Sequence, residues 1–311
     1  MAPQKRCAQE ADSLLGGVKA VVMDIEGTTT PISFVKETLF PFVTENLDSY
    51  LRNHYDDTET QKDIAALRSL AAKDKSDSVD GVVEIPESST DKEEILKAVA
   101  ENVRWQMSND RKSTELKQLQ GHMWKEGYES GTLKGELFDD VAAVIQQLSD
   151  EGIKLYVYSS GSVEAQKLLF GNTQQDGDLV EMFTDFFDTT IGSKTESSSY
   201  KAIVTKVGCE NDEILFLTDS PDEAKAACQA GLRSTLVIRP GNQDLTEEHL
   251  QNFSCIEKFE ELYGDDDYDE EDLKRFEGDD NGEAEDDEED PEEDEDDDEV
   301  EEENPEEEED A

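Results

Sequence analysis

Four short β-branched runs, separated by stretches of helical period, restrict this 311-residue chain more than any other feature of its sequence. The run at 18–23 (Val-Lys-Ala-Val-Val-Met) and those at 153–158, 214–217 and 235–238 are too short for buried helices. Their aliphatic content reads as buried strands of a parallel sheet. A fifth, weaker strand candidate lies at 186–191. Between them, residues 137–148 place Leu137, Val141, Val144, Ile145 and Leu148 at helix spacing, and Gly152 closes the turn. Residues 163–170 stop at Gly171 and residues 200–207 at Gly208. Ser220-Pro221 followed by Asp222 and Glu223 has the form of a helix N-terminus, and that helix ends at Gly231. Strands alternating with helices predict an α/β fold with a Rossmann-like parallel sheet.

The interval after the first strand breaks the alternation. Residues 37–135 carry helical patterns, at 36–51 and 95–107, and a polar Ser/Asp/Lys-rich loop at 73–92, but no convincing strand. We read them as a helical cap inserted into a core formed by 18–36 and 136–263, after a lead-in at 1–17. A single larger domain would need a very long crossover.

Charge sets off the C-terminus. The formal charge of −53 divides into −31 for residues 264–311, where 33 acids face only Lys274 and Arg275, and −22 for residues 1–263. From 279 to 311 the only aliphatic residues are Ala284, Val300 and Ala311. Such a segment lacks the apolar surface to offset its ordering entropy, so a disordered tail is expected. Its field would repel nucleic acid and attract basic proteins. A solubilising role is the simpler expectation for it. Cys7, Cys209, Cys228 and Cys255 form no CxxC pair and read as reduced thiols. No apolar run is long enough to span a membrane. A soluble monomer is expected, cytoplasmic or also nuclear.

The predicted strand ends carry the chemistry, because ligands bind at the carboxyl ends of strands in an open parallel sheet. The first ends in Asp24-Ile25-Glu26-Gly27-Thr28-Thr29-Thr30-Pro31. Two carboxylates followed by a glycine can hold a hard cation and bring backbone N–H groups to a phosphate. The second ends in Ser159-Ser160-Gly161-Ser162, ahead of a helix. Those hydroxyls suit phosphate oxygens or a helix cap, and both roles can coexist. The third ends in Thr218-Asp219-Ser220, with Glu223 four residues after Asp219. Asp24, Glu26 and Asp219 at one sheet edge would repel one another without a divalent cation, and oxygen-only ligation favours magnesium. Lys194 follows the weaker strand and could neutralise phosphate charge. His122 and Trp124 are read as a satisfied histidine and a buried tryptophan.

Together these strand ends resemble the four motifs of the haloacid dehalogenase superfamily. Within it the chain is similar to the enolase-phosphatase (acireductone synthase) family. The similarity lies in Asp24-Ile25-Glu26-Gly27-Thr28-Thr29-Thr30-Pro31-Ile32, in Gln118-Leu119-Gln120-Gly121-His122-Met123-Trp124, in the run from Tyr158 to Gly171, in Phe216-Leu217-Thr218-Asp219 and in Arg239-Pro240-Gly241-Asn242. Glu26 stands where most superfamily phosphatases have aspartate, and the enolase-phosphatase family shares that glutamate. The resemblance implies Asp24 as nucleophile and Glu26 as general acid and base. It implies one Mg2+ held by Asp24, Asp219 and the main-chain carbonyl of Glu26, with Glu223 supporting it. Ser159, Ser160 and Lys194 would bind the phosphorylated small-molecule substrate. The implied reaction is enolisation and dephosphorylation of 2,3-diketo-5-methylthiopentyl-1-phosphate. Hydrolysis of another ester, such as a sugar phosphate, and an acidic interaction protein with an inert domain are the rival readings.

Overall fold

The computed structural model describes residues 13–86 and 91–264. The readings of 1–12, Cys7 included, and of 265–311 lie outside the described residues.

Six parallel strands form one sheet, in the order β3-β2-β1-β4-β5-β6. They are β1 (Ala20–Met23), β2 (Lys154–Tyr158), β3 (Phe183–Phe187), β4 (Ile214–Thr218), β5 (Arg233–Val237) and β6 (Ser254–Ile256). β1 is central because it can be buried on both faces. Val21 and Met23 join the apolar cluster on one side of the sheet, and Ala20 and Val22 join the cluster on the other. This period of two follows from the alternation of side chains along a strand. After β1 the chain builds outward through β2 and β3, then returns to place β4 on the opposite flank of β1. That reversal opens a crevice at the carboxyl end of β1 and β4.

One strand expectation is corrected, and one further strand was not foreseen. β3 ends at Phe187, not near 191, and begins at Phe183. The buried rings of Phe183, Phe186 and Phe187 drive the pairing. Asp188 Oδ1 then accepts from the Thr190 amide and hydroxyl, a turn that stops the strand. β6 carried no sequence signal, since its three residues (Ser-Cys-Ile) are stabilised by pairing with β5 and not by pattern.

Among the described residues, four α-helices occupy the interval from 37 to 135: α1 (Phe40–Asn53), α2 (Thr58–Ser76), α3 (Lys92–Ser108) and α4 (Thr114–Glu129). They share an apolar cluster that includes Leu47, Leu51, Leu67, Val99, Val103 and Leu119. Trp124 packs against this cluster and also against the sheet's. The helix expected at 36–51 is divided: Phe34–Leu39 is π-helical, and α1 follows with Pro41 near its start. Proline lacks the N–H that an unbroken α-helix would need there. The polar loop expected from residue 73 begins only after α2 ends at Ser76, because few apolar residues (Ile64, Leu67, Ala71) mark that helix.

The sheet is flanked by α5 (Val141–Asp150), α6 (Val163–Gly171), α7 (Ser197–Val207) and α8 (Pro221–Gln229), with α9 (Glu247–Asn252) before β6. Leu137 and Phe138 precede α5, where the Phe138 amide donates to the Thr29 carbonyl. Arg239 forms a buried bidentate pair with Asp140 and also donates to the Thr28 carbonyl. This pair fixes the loop after β1 against the sheet edge. No described helix is long and apolar enough to cross a membrane.

Candidate active site

β1 and β4 pair with Met23 opposite Leu217, so Asp24 and Thr218 emerge side by side. The Asp24 amide donates to the Leu217 carbonyl at 2.9 Å, extending the ladder to the first residue of the site. Asp24 is only 5% exposed. Its Oδ1 lies 2.6 Å from Lys194 Nζ and accepts from the Ile25 amide at 2.7 Å. Lys194 Nζ also lies 2.7 Å from Glu223 Oε2. The Thr218 hydroxyl sits between the two acids, 3.3 Å from Asp24 Oδ2 and 3.1 Å from Glu223 Oε2. It has one proton, so it can donate to only one of them at a time.

Lys194 reaches this position from the loop between β3 and α7. Three hydroxyls hold that loop: Tyr158 donates to the Gly192 carbonyl, Ser199 to that of Ser193, and Tyr200 to that of Lys194. Gly192, at φ +142°, lies so close to the Ser199 side chain that a Cβ would collide with it. Burial alone would lower the Lys194 pKa, but the charges and hydrogen bonds of Asp24 and Glu223 outweigh it, and the net shift is upward.

The carboxylates bear the opposite stress. Burial, reinforced by the charge of Asp24, raises Asp219 to about 7 and Glu223 to about 7, and Lys194 opposes the rise in both. Glu26 is raised for the same two reasons, burial first and Asp24 second. Two carboxylates thus contact one ammonium, and those of Asp219 and Glu26 lie within reach of its charge. Gly27, at φ +78°, brings the backbone against them: a Cβ there would lie 2.6 Å from Asp219 Oδ2 and 2.9 Å from Asn242 Oδ1. The Asn242 amide is oriented by its Nδ2, which donates to the Gly27 and Val237 carbonyls. Its Oδ1 is therefore left buried without a donor. Gly27→Ala is expected to be destabilised by about 1–3 kcal/mol through backbone strain alone. Urea unfolding measures that loss, and a stability equal to the parent's would refute the close approach.

The serine run divides its labour. Ser162 is the helix cap, its hydroxyl accepting from the Ala165 amide at 3.2 Å. Ser159 Oγ accepts from the Gly161 amide, and neither Ser159 nor Ser160 caps α6. Ser220, read from sequence as a cap, uses its backbone instead: its amide donates to Thr218 Oγ1 and its side chain makes no cap bond.

Glu26, Ser159 and Ser160 line a cavity of about 620 Å³ between the α1–α4 helices and the sheet edge. Its other wall is apolar and includes Leu39, Phe40, Met107, Leu116, Trp124 and Leu169. Trp124, read as a core residue, is half-buried and lines this cavity, with its indole N–H donating to the Leu39 carbonyl. His122 bonds Asp63 at 2.6 Å within the helical layer. Thr218, Asn242 and Lys117, which the sequence reading passed over, also meet at this edge. Thr218 and Asn242 lay within noted motifs without being assigned a role, whereas Lys117 carries no local signal.

The haloacid dehalogenase-like hydrolase family matches residues 18–231. The enolase-phosphatase E1 of Xenopus tropicalis is 51% identical over 248 residues, which are 79% of this chain and 95% of that protein. An Arabidopsis thaliana protein named for two activities, methylthioribulose-1-phosphate dehydratase and enolase-phosphatase E1, is 47% identical over 243 residues, 78% of this chain and 47% of that protein. Among solved structures, the UTR4 protein of Saccharomyces cerevisiae is 32% identical with a TM-score of 0.62, covering 78% of this chain and 99% of that one. Similarity of this extent, over a sheet edge that gathers Asp24, Lys194, Asp219 and Glu223, makes the chain a member of the haloacid dehalogenase-like hydrolases and, within them, of the enolase-phosphatase E1 family.

Proposed function

We propose that this enzyme is the bifunctional enolase-phosphatase of methionine salvage. It would convert 2,3-diketo-5-methylthiopentyl-1-phosphate, through its enol, to 1,2-dihydroxy-3-keto-5-methylthiopentene and phosphate. The observation that carries the reading is the buried Asp24 carboxylate, held 2.6 Å from Lys194 beside the cavity wall formed by Glu26, Ser159 and Ser160. The plant relative supports the substrate, since dehydration of methylthioribulose-1-phosphate yields such a phosphorylated diketone. The apolar wall suits a methylthio end and the polar wall a phosphate.

Asp24 attacks phosphorus and forms an aspartyl phosphate, which water then hydrolyses. Glu26 protonates the leaving oxygen and afterwards takes a proton from the attacking water. Burial, with the charge of Asp24 adding to it, raises its pKa, the direction that favours proton transfer to the leaving oxygen. Ser159, Ser160 and Lys194 hold the phosphoryl oxygens. The ammonium of Lys194 compensates part of the charge that the dianion brings to Asp24.

The site fits a magnesium ion. Asp219 and the donorless Asn242 Oδ1 converge beside Gly27, an oxygen-rich recess that a Cβ would fill. Among the described residues no three acidic, histidine or cysteine side chains form a ready-made cage. Magnesium needs none, since it binds through one or two carboxylates and keeps waters and substrate oxygens. Asp24, Asp219 and the Glu26 carbonyl would hold it, with Glu223 supporting the set. When bound it screens the repulsion between carboxylate and phosphate dianion.

The test follows phosphate release and enediol absorbance together on purified protein with the diketo phosphate and Mg2+. Both signals are expected, both should vanish on chelation, and both should return with added Mg2+. Phosphate release from simple esters but not from the diketo phosphate would overturn the substrate assignment.

A further inference from the structure

Enolisation needs an electrophile that phosphate transfer does not. When the C1–H bond breaks, its electron pair forms C1=C2 and the C2=O π pair moves onto oxygen. That oxygen needs a positive group apart from the one engaged with phosphate. Lys194 is committed to Asp24 and Glu223.

Five other cations line the cavity: Lys36, Arg104, Arg111, Lys112 and Lys117. Arg104 pairs with Asp48 at 2.5 Å and Arg111 with Asp74 at 2.6 Å. Lys36 and Lys112 are exposed, and Lys112 stands 3.9 Å from Asp110. Lys117 differs from all four. It is half-buried on α4, and its Nζ reaches across the cavity to donate to the Ser160 carbonyl at 2.8 Å. It has no ion-pair partner among the described residues, so its ammonium has N–H donors to spare. It is thereby held at the residue expected to bind phosphate, close to where C2 of a C1-phosphorylated diketone must lie.

We infer that Lys117 is the electrophile of the enolisation step, donating from Nζ to the C2 oxygen of the bound diketone. This rests on the proposed substrate. A cavity carboxylate, for which Glu26 is placed, takes the C1 proton. The C2 oxygen gathers the charge and takes a proton from Lys117, which recovers one from water. Burial, with Lys112 adding to it, lowers the Lys117 pKa against the opposing pull of Asp188, which eases that transfer. The resulting enol phosphate is then cleaved at the Asp24 site.

The experiment compares the full chain with Lys117→Met and Lys117→Arg on two substrates. These are the diketo phosphate and p-nitrophenyl phosphate, which has no carbonyl to enolise. Deuterium uptake at C1 from D2O reports enolisation directly. Loss of one oxyanion donor is worth about 10²–10³ in kcat. Lys117→Met should therefore lose about 100-fold more on the diketo phosphate than on the aryl ester, with deuterium uptake falling in parallel. Lys117→Arg should recover part of the loss. Equal losses on both substrates would overturn the inference and leave Lys117 a support of the Ser160 loop, and so would no loss on either. Wild-type protein that cleaves the aryl ester but neither exchanges nor cleaves the diketone would overturn the substrate assignment itself, and this inference with it.

Discussion

Asp24→Asn should bind the diketo phosphate at least as tightly as the parent and turn it over about 10⁴-fold more slowly, or less. Removing a nucleophile in a cooperating set costs this much or more. The amide is nearly isosteric, and its one oxygen can still accept from the Ile25 amide, as Asp24 Oδ1 does at 2.7 Å. Binding should survive because Ser159, Ser160 and Lys194 remain and one negative charge facing the dianion is gone. The fold should survive as well. The charge of Asp24 contributes to the raised pKa of Glu26, Asp219 and Glu223, in each case after burial, so its removal relieves repulsion in a crowded site. Calorimetric titration with substrate and rapid-quench phosphate release separate binding from chemistry. Near-normal turnover would remove Asp24 from the reaction.

Lys194→Met should be the most destabilising single change at the site. It deletes the ammonium that joins Asp24 to Glu223, both within 2.7 Å of it, and leaves their charges buried. Breaking one side of a buried ion pair costs about 3–5 kcal/mol. The deficit should depend on pH, with a definite sign. Burial and the charge of Asp24 push the folded pKa values of Asp219 and Glu223 up to about 7, above the ordinary carboxylate range, even with Lys194 present. The folded state therefore holds protons that the unfolded state has released, and stability falls as pH rises across that interval. Removing Lys194 widens the interval, since in both groups it opposes the rise. Urea unfolding with chelator present should show the full deficit at pH 8 and a markedly smaller one at pH 5.5. Equal deficits at both pH values would rule out electrostatics as the cause.

Asp24, Ser159 and Asp219 were legible because each follows a short apolar run. Such a run, short and bounded by turn signals, reads as a buried strand, and the first polar residues beyond it stand at the sheet edge. The four buried residues of β1 illustrate this: Ala-Val-Val-Met has no solvent-facing side, so its period points to a central parallel strand. β6 and α2 were not legible, because their stability comes from partners and not from their own pattern. The strand candidate at 186–191 misplaced β3 because Ile191 extends an apolar pattern that the Asp188 turn interrupts.

The sequence by itself determined a parallel α/β sheet, the long helical insertion after its first strand, and which strand ends carry acids and hydroxyls. These depend on residues within one strand or helix of each other, where periodicity and chain stiffness act. Only the tertiary structure decided that Lys194 joins Asp24 to Glu223, that Ser162 and not Ser159 caps α6, that Asn242 faces Asp219 across Gly27, and that Lys117 spans the cavity to Ser160. Asp24 and Thr218 are 194 residues apart in the chain and in contact in the fold. Contacts over such separations follow from strand order and side-chain packing, which no local pattern of residues encodes.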